Sequence, residues 1–102
     1  MIPLIERHHA EIEALCRRFG VRRLEVFGSG ATGAFRDDTS DLDFLVEFAQ
    51  PTSRGYANRY FGFQEALETL LAHPVDLVVS SAIENPYFRQ SVDETRALLY
   101  AA

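Results

Sequence analysis

Apolar side chains recur at the spacing of one helix face through the first twenty residues of the chain. Gly20 follows at the position of a left-handed helix cap, so the pattern predicts an amphipathic helix over residues 3–19. The residues on its predicted inner face are Leu4, Ile5, His8, Ile12, Leu15, Cys16 and Phe19.

Three shorter apolar runs have the pattern of strands. They cover residues 24–27, 41–48 and 75–79. Side chains of a strand alternate between its two faces, so one face of the second run is predicted to point into the core. The residues of that face are Leu42, Phe44, Val46 and Phe48.

Further helices are predicted between and after these strands. A short one runs from Ser29 to about Phe35, and another covers residues 56–72 after a turn-rich segment. The last begins at Asn85-Pro86, a cap residue followed by a first-turn proline, and runs through about Tyr100. The order of elements indicates an α/β or α+β fold, with a small sheet of three or more strands flanked by about four helices.

Composition narrows the range of functions. The 102 residues, 47% of them hydrophobic, are expected to form a single domain, 1–102, with no membrane span. A net charge of −5 argues against general nucleic-acid binding, which needs clustered basic residues. The single cysteine and the lack of a secretory signal pattern predict a cytoplasmic protein.

Three carboxylates and a glycine turn are the candidate chemistry. Asp41 and Asp43 fall on one face of the second strand, where two like charges are costly unless a cation offsets them. Asp76 lies within the apolar third strand. Gly28 and Ser29 follow the first strand, where a glycine lets backbone N–H groups approach a phosphate.

Each of these motifs alone is more often structural than functional. A Gly-Ser pair is usually a turn, and an isolated Asp-X-Asp is usually a solvated strand end. Their joint occurrence favours a site for a nucleoside triphosphate, with Asp41, Asp43 and Asp76 binding Mg²⁺ and Asp76 also helping to deprotonate the attacking hydroxyl.

The motifs, in this order, resemble those of the minimal nucleotidyltransferases, small members of the DNA polymerase beta-like superfamily. The matching segments are Val26-Phe27-Gly28-Ser29, Ser40-Asp41-Leu42-Asp43, Pro74-Val75-Asp76-Leu77-Val78 and Asn85-Pro86. The resemblance implies a nucleotidyltransferase fold with a small mixed sheet. It also implies that Gly28 and Ser29 bind the nucleotide phosphates and that Asp41, Asp43 and Asp76 form the catalytic, metal-binding triad.

The same resemblance implies an activity and a partner. Members commonly transfer AMP from ATP with Mg²⁺ and release pyrophosphate. Many are antitoxins that modify a tyrosine of a HEPN-type ribonuclease toxin, in a complex with that toxin. One position departs from the family pattern, because Thr32 stands where many relatives carry an arginine, and a phosphate contact by a guanidinium is lost or moved to Arg36.

Two other functions stay open from the sequence. The chain could silence a toxin by binding alone, as Thr32 mildly favours and the intact carboxylate triad disfavours. It could also transfer a nucleotide to a small molecule, although no added domain is evident to enclose one.

Overall fold

The computed structural model describes residues 1–34 and 41–102. Within them the helices are α1 (Pro3–Arg7), α2 (His9–Arg18), α3 (Ser29–Thr32), α4 (Tyr56–Leu71) and α5 (Pro86–Thr95), with a 3-10 turn at Ser80–Ala82. The strands are β1 (Val21–Phe27), β2 (Leu42–Phe48), β3 (Val75–Val79) and β4 (Ala97–Ala101). The predicted α/β class with a small mixed sheet is confirmed.

The four strands form one sheet in the order β3-β2-β1-β4. Strands β2 and β3 are parallel, whereas β1 is antiparallel to both β2 and β4. This arrangement brings the end of β1 beside the start of β2, and the start of β3 lies on the other side of β2. The polar residues at these three strand ends are therefore neighbours.

The sheet has an apolar layer on each face. One face packs against α1, α2 and α4, and the predicted inner residues of β2 are all buried there. The opposite face carries a smaller cluster in which Phe27 and Leu45 pack against Val92 of α5. Within the described residues, no helix is long and apolar enough to cross a membrane.

The predicted first helix is divided in two. Residue His8 leaves helical geometry, at φ −103° and ψ 14°, and separates α1 from α2. Its Nδ1 atom lies 2.8 Å from the carbonyl oxygen of Leu4. Helix α3 ends at Thr32, and the predicted end at Phe35 lies outside the described residues.

The predicted last helix is wrong beyond Thr95. Arg96 has extended geometry, at φ −59° and ψ 137°, and the chain continues as β4 along β1. Leu99 is buried as its apolar character suggested, but it is buried in a strand. Pairing with a strand some seventy residues earlier decides this segment, and local spacing cannot reveal such a partner.

Candidate active site

The three candidate carboxylates lie at one end of the sheet. Asp43 is the second residue of β2 and is in register with Asp76 of β3. On its other side Asp43 pairs with Phe27, the last residue of β1. Asp41 comes directly before β2, and it is exposed, as is Asp76, while Asp43 is half-buried. The structure therefore brings together the three residues that the sequence singled out.

Asp43 is the electrostatic centre of this group. Its burial, and then the negative charges of Asp76 and Asp41, raise its pKa from 3.8 to about 6. Like charges that shift a pKa this way favour either a proton or a cation between them. The carboxylates are thus close enough to act on one another.

The donor set suits a hard divalent cation that also binds a phosphate. Among the described residues, no three His, Cys, Asp or Glu side chains converge closely enough to hold a metal by themselves. Mg²⁺ is normally held by one or two carboxylates plus water and substrate phosphates, so a complete protein cage is not required. Asp43 and Asp76 on adjacent strands fit that mode, with phosphate oxygens completing the coordination.

Gly28 forms the turn at the end of β1. Its backbone has φ 67° and ψ −144°, a conformation that L side chains rarely adopt. A Cβ atom at this position would lie 3.0 Å from Oδ2 of Asp43, so any other residue would combine a strained backbone with a tight contact to this carboxylate.

Ser29 opens the short helix α3 directly after this turn. The carbonyl oxygen of Gly28 accepts hydrogen bonds from the N–H groups of Ala31 and Thr32, at 3.1 and 3.2 Å. The Ser29 carbonyl accepts one from Gly33 at 3.1 Å. With Ala31, Thr32 and Gly33 bonded in this way, the N–H groups of Ser29 and Gly30 are the candidate donors of this turn for an anion.

Thr32 stands at the position where the family resemblance expects an arginine, at the end of α3. Thr32 is the exposed last residue of α3, and its hydroxyl accepts a 3.4 Å hydrogen bond from the N–H of Ala34. Arg36, the alternative donor considered from sequence, lies outside the described residues.

Side chains of α4 hold the start of β3, which carries Asp76. The Val75 N–H donates to Oε2 of Glu68 at 2.9 Å, and the Val75 carbonyl accepts from Nε2 of Gln64 at 2.9 Å. Beyond Asp76, the Tyr60 hydroxyl donates to the carbonyl of Leu77. Burial and then the charge of Asp76 raise the pKa of Tyr60. Sequence reasoning missed these contacts, because nothing in the spacing of α4 marks its polar residues as partners of β3.

A second feature that sequence reasoning missed is a buried ion pair behind the turn. Glu25 of β1 is only 3% exposed and accepts from Arg96, with Nε–Oε2 and Nη2–Oε1 distances of 2.7 Å. Nε of Arg23 donates to the same carboxylate at 2.8 Å, and these bonds lower the pKa of Glu25 to about 2. A lone glutamate between Leu24 and Val26 was the available signal for this pair.

Comparison with known proteins agrees with this geometry. A family model described as the nucleotidyltransferase domain matches residues 11–99. A Methanocaldococcus jannaschii protein with the provisional name protein adenylyltransferase is 37% identical over 90 residues, 88% of this chain and 86% of that protein. The protein adenylyltransferase MntA of Thermococcus cleftensis is 40% identical over 76 residues, 74% of this chain and 73% of that protein.

Solved structures share the fold. One described provisionally as a minimal nucleotidyltransferase has a TM-score of 0.75 and 33% identity, over 94% of this chain and 95% of that chain. A toxin–antitoxin structure with AMP-PNP has a TM-score of 0.70 and 22% identity, over 92% and 73% of the two chains. A tri-AMPylated Shewanella oneidensis HEPN toxin in complex with an MNT antitoxin has a TM-score of 0.63 and 19% identity, over 95% and 72%.

The last two likenesses establish the fold alone, because their identities are low. The family model and the relatives above 30% identity extend over most of the chain. This chain therefore belongs to the nucleotidyltransferase domain family, among its minimal nucleotidyltransferases, and is an enzyme of that class.

Proposed function

We propose that this nucleotidyltransferase is a magnesium-dependent protein adenylyltransferase that moves AMP from ATP to a tyrosine of a HEPN-type toxin and so acts as an antitoxin. The observation that carries the proposal is the position of Asp43, between Asp76 on β3 and the Gly28 turn at the end of β1. A carboxylate pair beside a phosphate-binding turn is the arrangement that a metal–triphosphate complex requires.

In this proposal, Asp41, Asp43 and Asp76 would hold Mg²⁺ together with phosphate oxygens and water, and the Gly28–Ser29 turn would hold the phosphates. Bound Mg²⁺ would neutralise charge on the triphosphate and so favour attack by an oxygen nucleophile. The raised pKa of Asp43 supports a cation here, because burial and like charges disfavour the ionised carboxylate in the free protein. The exposed Asp76 is accessible to an acceptor that arrives from solution.

The proposed transfer is a displacement at the α-phosphorus of ATP. The acceptor hydroxyl oxygen forms a bond to the α-phosphorus of ATP, and its proton passes to Asp76. The bond from that phosphorus to the bridging oxygen breaks, and its electron pair leaves with pyrophosphate. The products are the AMP ester of the acceptor, pyrophosphate and one proton.

The choice of acceptor is supported by the relatives and by the exposure of the site. Two relatives are named protein adenylyltransferases, and similar folds occur in toxin–antitoxin structures, one with AMP-PNP and one with an AMPylated HEPN toxin. Asp41 and Asp76 are exposed, so a protein acceptor that supplies its own recognition surface fits this site. The buried free thiol of Cys16 agrees with a cytoplasmic location.

The alternative is an antitoxin that silences the toxin by binding alone. Thr32 favours it, since the turn has no guanidinium at that position. The two functions differ in stoichiometry, because a catalyst turns over and a binder does not.

A ribonuclease assay separates them. A HEPN-type ribonuclease, the proposed partner, is incubated with one-tenth of its molar amount of this chain, with and without ATP and Mg²⁺, and its RNA cleavage is then measured. We expect full silencing only with ATP and Mg²⁺. The Asp41→Asn/Asp43→Asn variant should fail, while Glu84→Gln, a matched change at an exposed site, should act like the wild type.

Silencing that needs an equal amount of this chain and no ATP would contradict the transferase and favour the binding antitoxin. An unsilenced toxin, with AMP found on an added small-molecule acceptor, would favour the third function instead.

A further inference from the structure

The Gly28 turn is hydrogen-bonded to α5 from behind. The Gly28 N–H donates to Oγ1 of Thr95, the last residue of α5, at 2.8 Å. The same hydroxyl lies 3.4 Å from the Ser91 carbonyl, to which it donates. Thr95 therefore uses both its acceptor and its donor, and it links the end of α5 to the proposed phosphate-binding turn.

The position of Thr95 is itself fixed from two sides. The next residue, Arg96, makes a two-bond ion pair with the buried Glu25 of β1, and its Nη1 donates to Asp93 at 2.7 Å. On the other side, Val92 is fully buried against Phe27 and Leu45. A bidentate pair of this kind fixes orientation as well as distance, so the hydroxyl is held at one place relative to the end of β1.

The turn that Thr95 holds is in contact with the carboxylate centre. Gly28 approaches Asp43 so closely that an added Cβ would lie 3.0 Å from Oδ2. A shift of the Gly28 backbone would thus change both the turn and its spacing from Asp43. In addition, the N–H groups of Gly28, Ala31 and Thr32 are already bonded, so the backbone donors of this turn proposed to contact a phosphate are those of Ser29 and Gly30.

We propose that Thr95 is a positioning residue for nucleotidyl transfer, whose hydroxyl holds the Gly28–Ser29 turn at a fixed distance from Asp43. This inference rests on the proposed function, and it assigns to α5 a role in the reaction in addition to its packing on the sheet. Because displacement of reacting groups by about 1 Å can reduce a rate by as much as about a hundredfold, the effect of losing this hydroxyl should be kinetic.

The test compares three variants. Thr95→Val keeps the branched shape but removes the hydroxyl, whereas Thr95→Ser keeps the hydroxyl. Thr69→Val makes the same chemical change at an exposed position of α4 and is the matched control. AMP transfer from ATP with Mg²⁺ to the HEPN-type partner gives kcat and KM for ATP, and thermal unfolding checks that each variant is folded.

A second readout follows the hydrogen bond itself. The chain contains six glycines, so the amide signal of Gly28 can be assigned by NMR and its hydrogen exchange measured without nucleotide. We expect exchange at Gly28 to be at least about tenfold faster in Thr95→Val than in the wild type. If Thr95→Val does not fold, Thr95→Ala serves in its place.

The expected kinetic result is a fall in kcat of about tenfold for Thr95→Val, with KM for ATP changed by less than about threefold. Thr95→Ser should restore kcat to within about twofold of the wild type, and Thr69→Val should not change it. An unchanged kcat or unchanged Gly28 exchange in Thr95→Val would overturn the inference, provided that the wild type transfers AMP. A wild type that transfers no AMP would instead count against the proposed function, and the two failures are thereby distinguished.

Discussion

Asp43 carries a negative charge that its surroundings disfavour in the absence of a cation. Burial and the charges of Asp76 and Asp41 raise its pKa from 3.8 to about 6, so the carboxylate is ionised at pH 7 at a cost to the folded state. Because the pKa of this carboxyl is higher in the folded state than in the unfolded state, its ionisation lowers the stability of the folded state as the pH rises. The cost is absent below pH 3.8, grows between pH 3.8 and about 6, and is complete at neutral pH.

Replacing Asp43 with Asn should therefore stabilise the metal-free protein. We expect the free energy of unfolding at pH 7 to rise by about 1–2 kcal/mol, because the neutral amide removes the repulsion. Urea unfolding with a chelator measures the change, and Glu84→Gln is the control at an exposed site. A destabilised Asp43→Asn protein would show that the charge is already offset in the folded protein.

Gly28 is the other residue at which the site and the backbone depend on each other. Gly28→Ala should lower the free energy of unfolding by about 2–3 kcal/mol, since it combines a strained backbone with a close contact to Asp43. Gly55→Ala is the comparison, because Gly55 also has a positive φ, of 85°, but open space where its Cβ would lie. We expect about 1 kcal/mol there. If urea unfolding shows the same loss of free energy of unfolding for both variants, the close contact between Gly28 and Asp43 does not contribute to the cost.

At the scale of elements, the start of α5 could be predicted from the sequence, whereas the strand β4 that follows it could not. The alternating pattern of β2 and the capped start of α5 are local signals, and both were predicted correctly. The change from helix to strand at Arg96 depends on pairing with β1 and on the ion pair with Glu25. No spacing rule for residues 86–100 contains that information, since the partners lie some seventy residues earlier.

The Glu25–Arg96 pair should make the free energy of unfolding depend on pH in the acidic range. Hydrogen bonds from Arg96 and Arg23 lower the pKa of Glu25 from 4.5 to about 2, so the ionised carboxylate stabilises the folded state above pH 4.5. This contribution, on the order of 3 kcal/mol, is lost as the pH falls from 4.5 through about 2.

Glu25→Gln tests this contribution. The variant should be less stable than the wild type at pH 7, and the difference should narrow as the pH falls toward 2, because the wild-type carboxylate becomes protonated. Urea unfolding across this pH range measures it. Glu47→Gln, on the same face of the sheet but on β2 and in an exposed pair with Arg22, should cost less than about 1 kcal/mol. A pH-independent difference for Glu25→Gln would show that the pair contributes through packing and not through charge.

At the scale of the whole molecule, the sheet order explains why motifs distant in sequence share one site. Gly28, Asp43 and Asp76 stand at the end of β1 and at the starts of β2 and β3, which the order β3-β2-β1-β4 brings together. Motif types and the family resemblance were enough to select these residues. The supports behind them, Thr95, Glu25 and the α4 side chains bonded to Val75, became visible only with the tertiary contacts.

The position of the carboxylates in the whole molecule also bears on how a protein acceptor would bind. The carboxylates lie at one end of the sheet, and Asp41 and Asp76 are exposed. A protein acceptor could therefore cover the site and exclude water when it binds. This is the reason to test the chain together with its partner and not with ATP alone.

The most direct measurement is the intact mass of both proteins after incubation with ATP, Mg²⁺ and the HEPN-type partner. We expect one or more added AMP units on the partner, none on this chain, and none anywhere when the Asp41→Asn/Asp43→Asn variant is used. An unmodified partner, bound tightly and silenced by the wild-type chain, would contradict the transferase and leave an antitoxin that acts by binding.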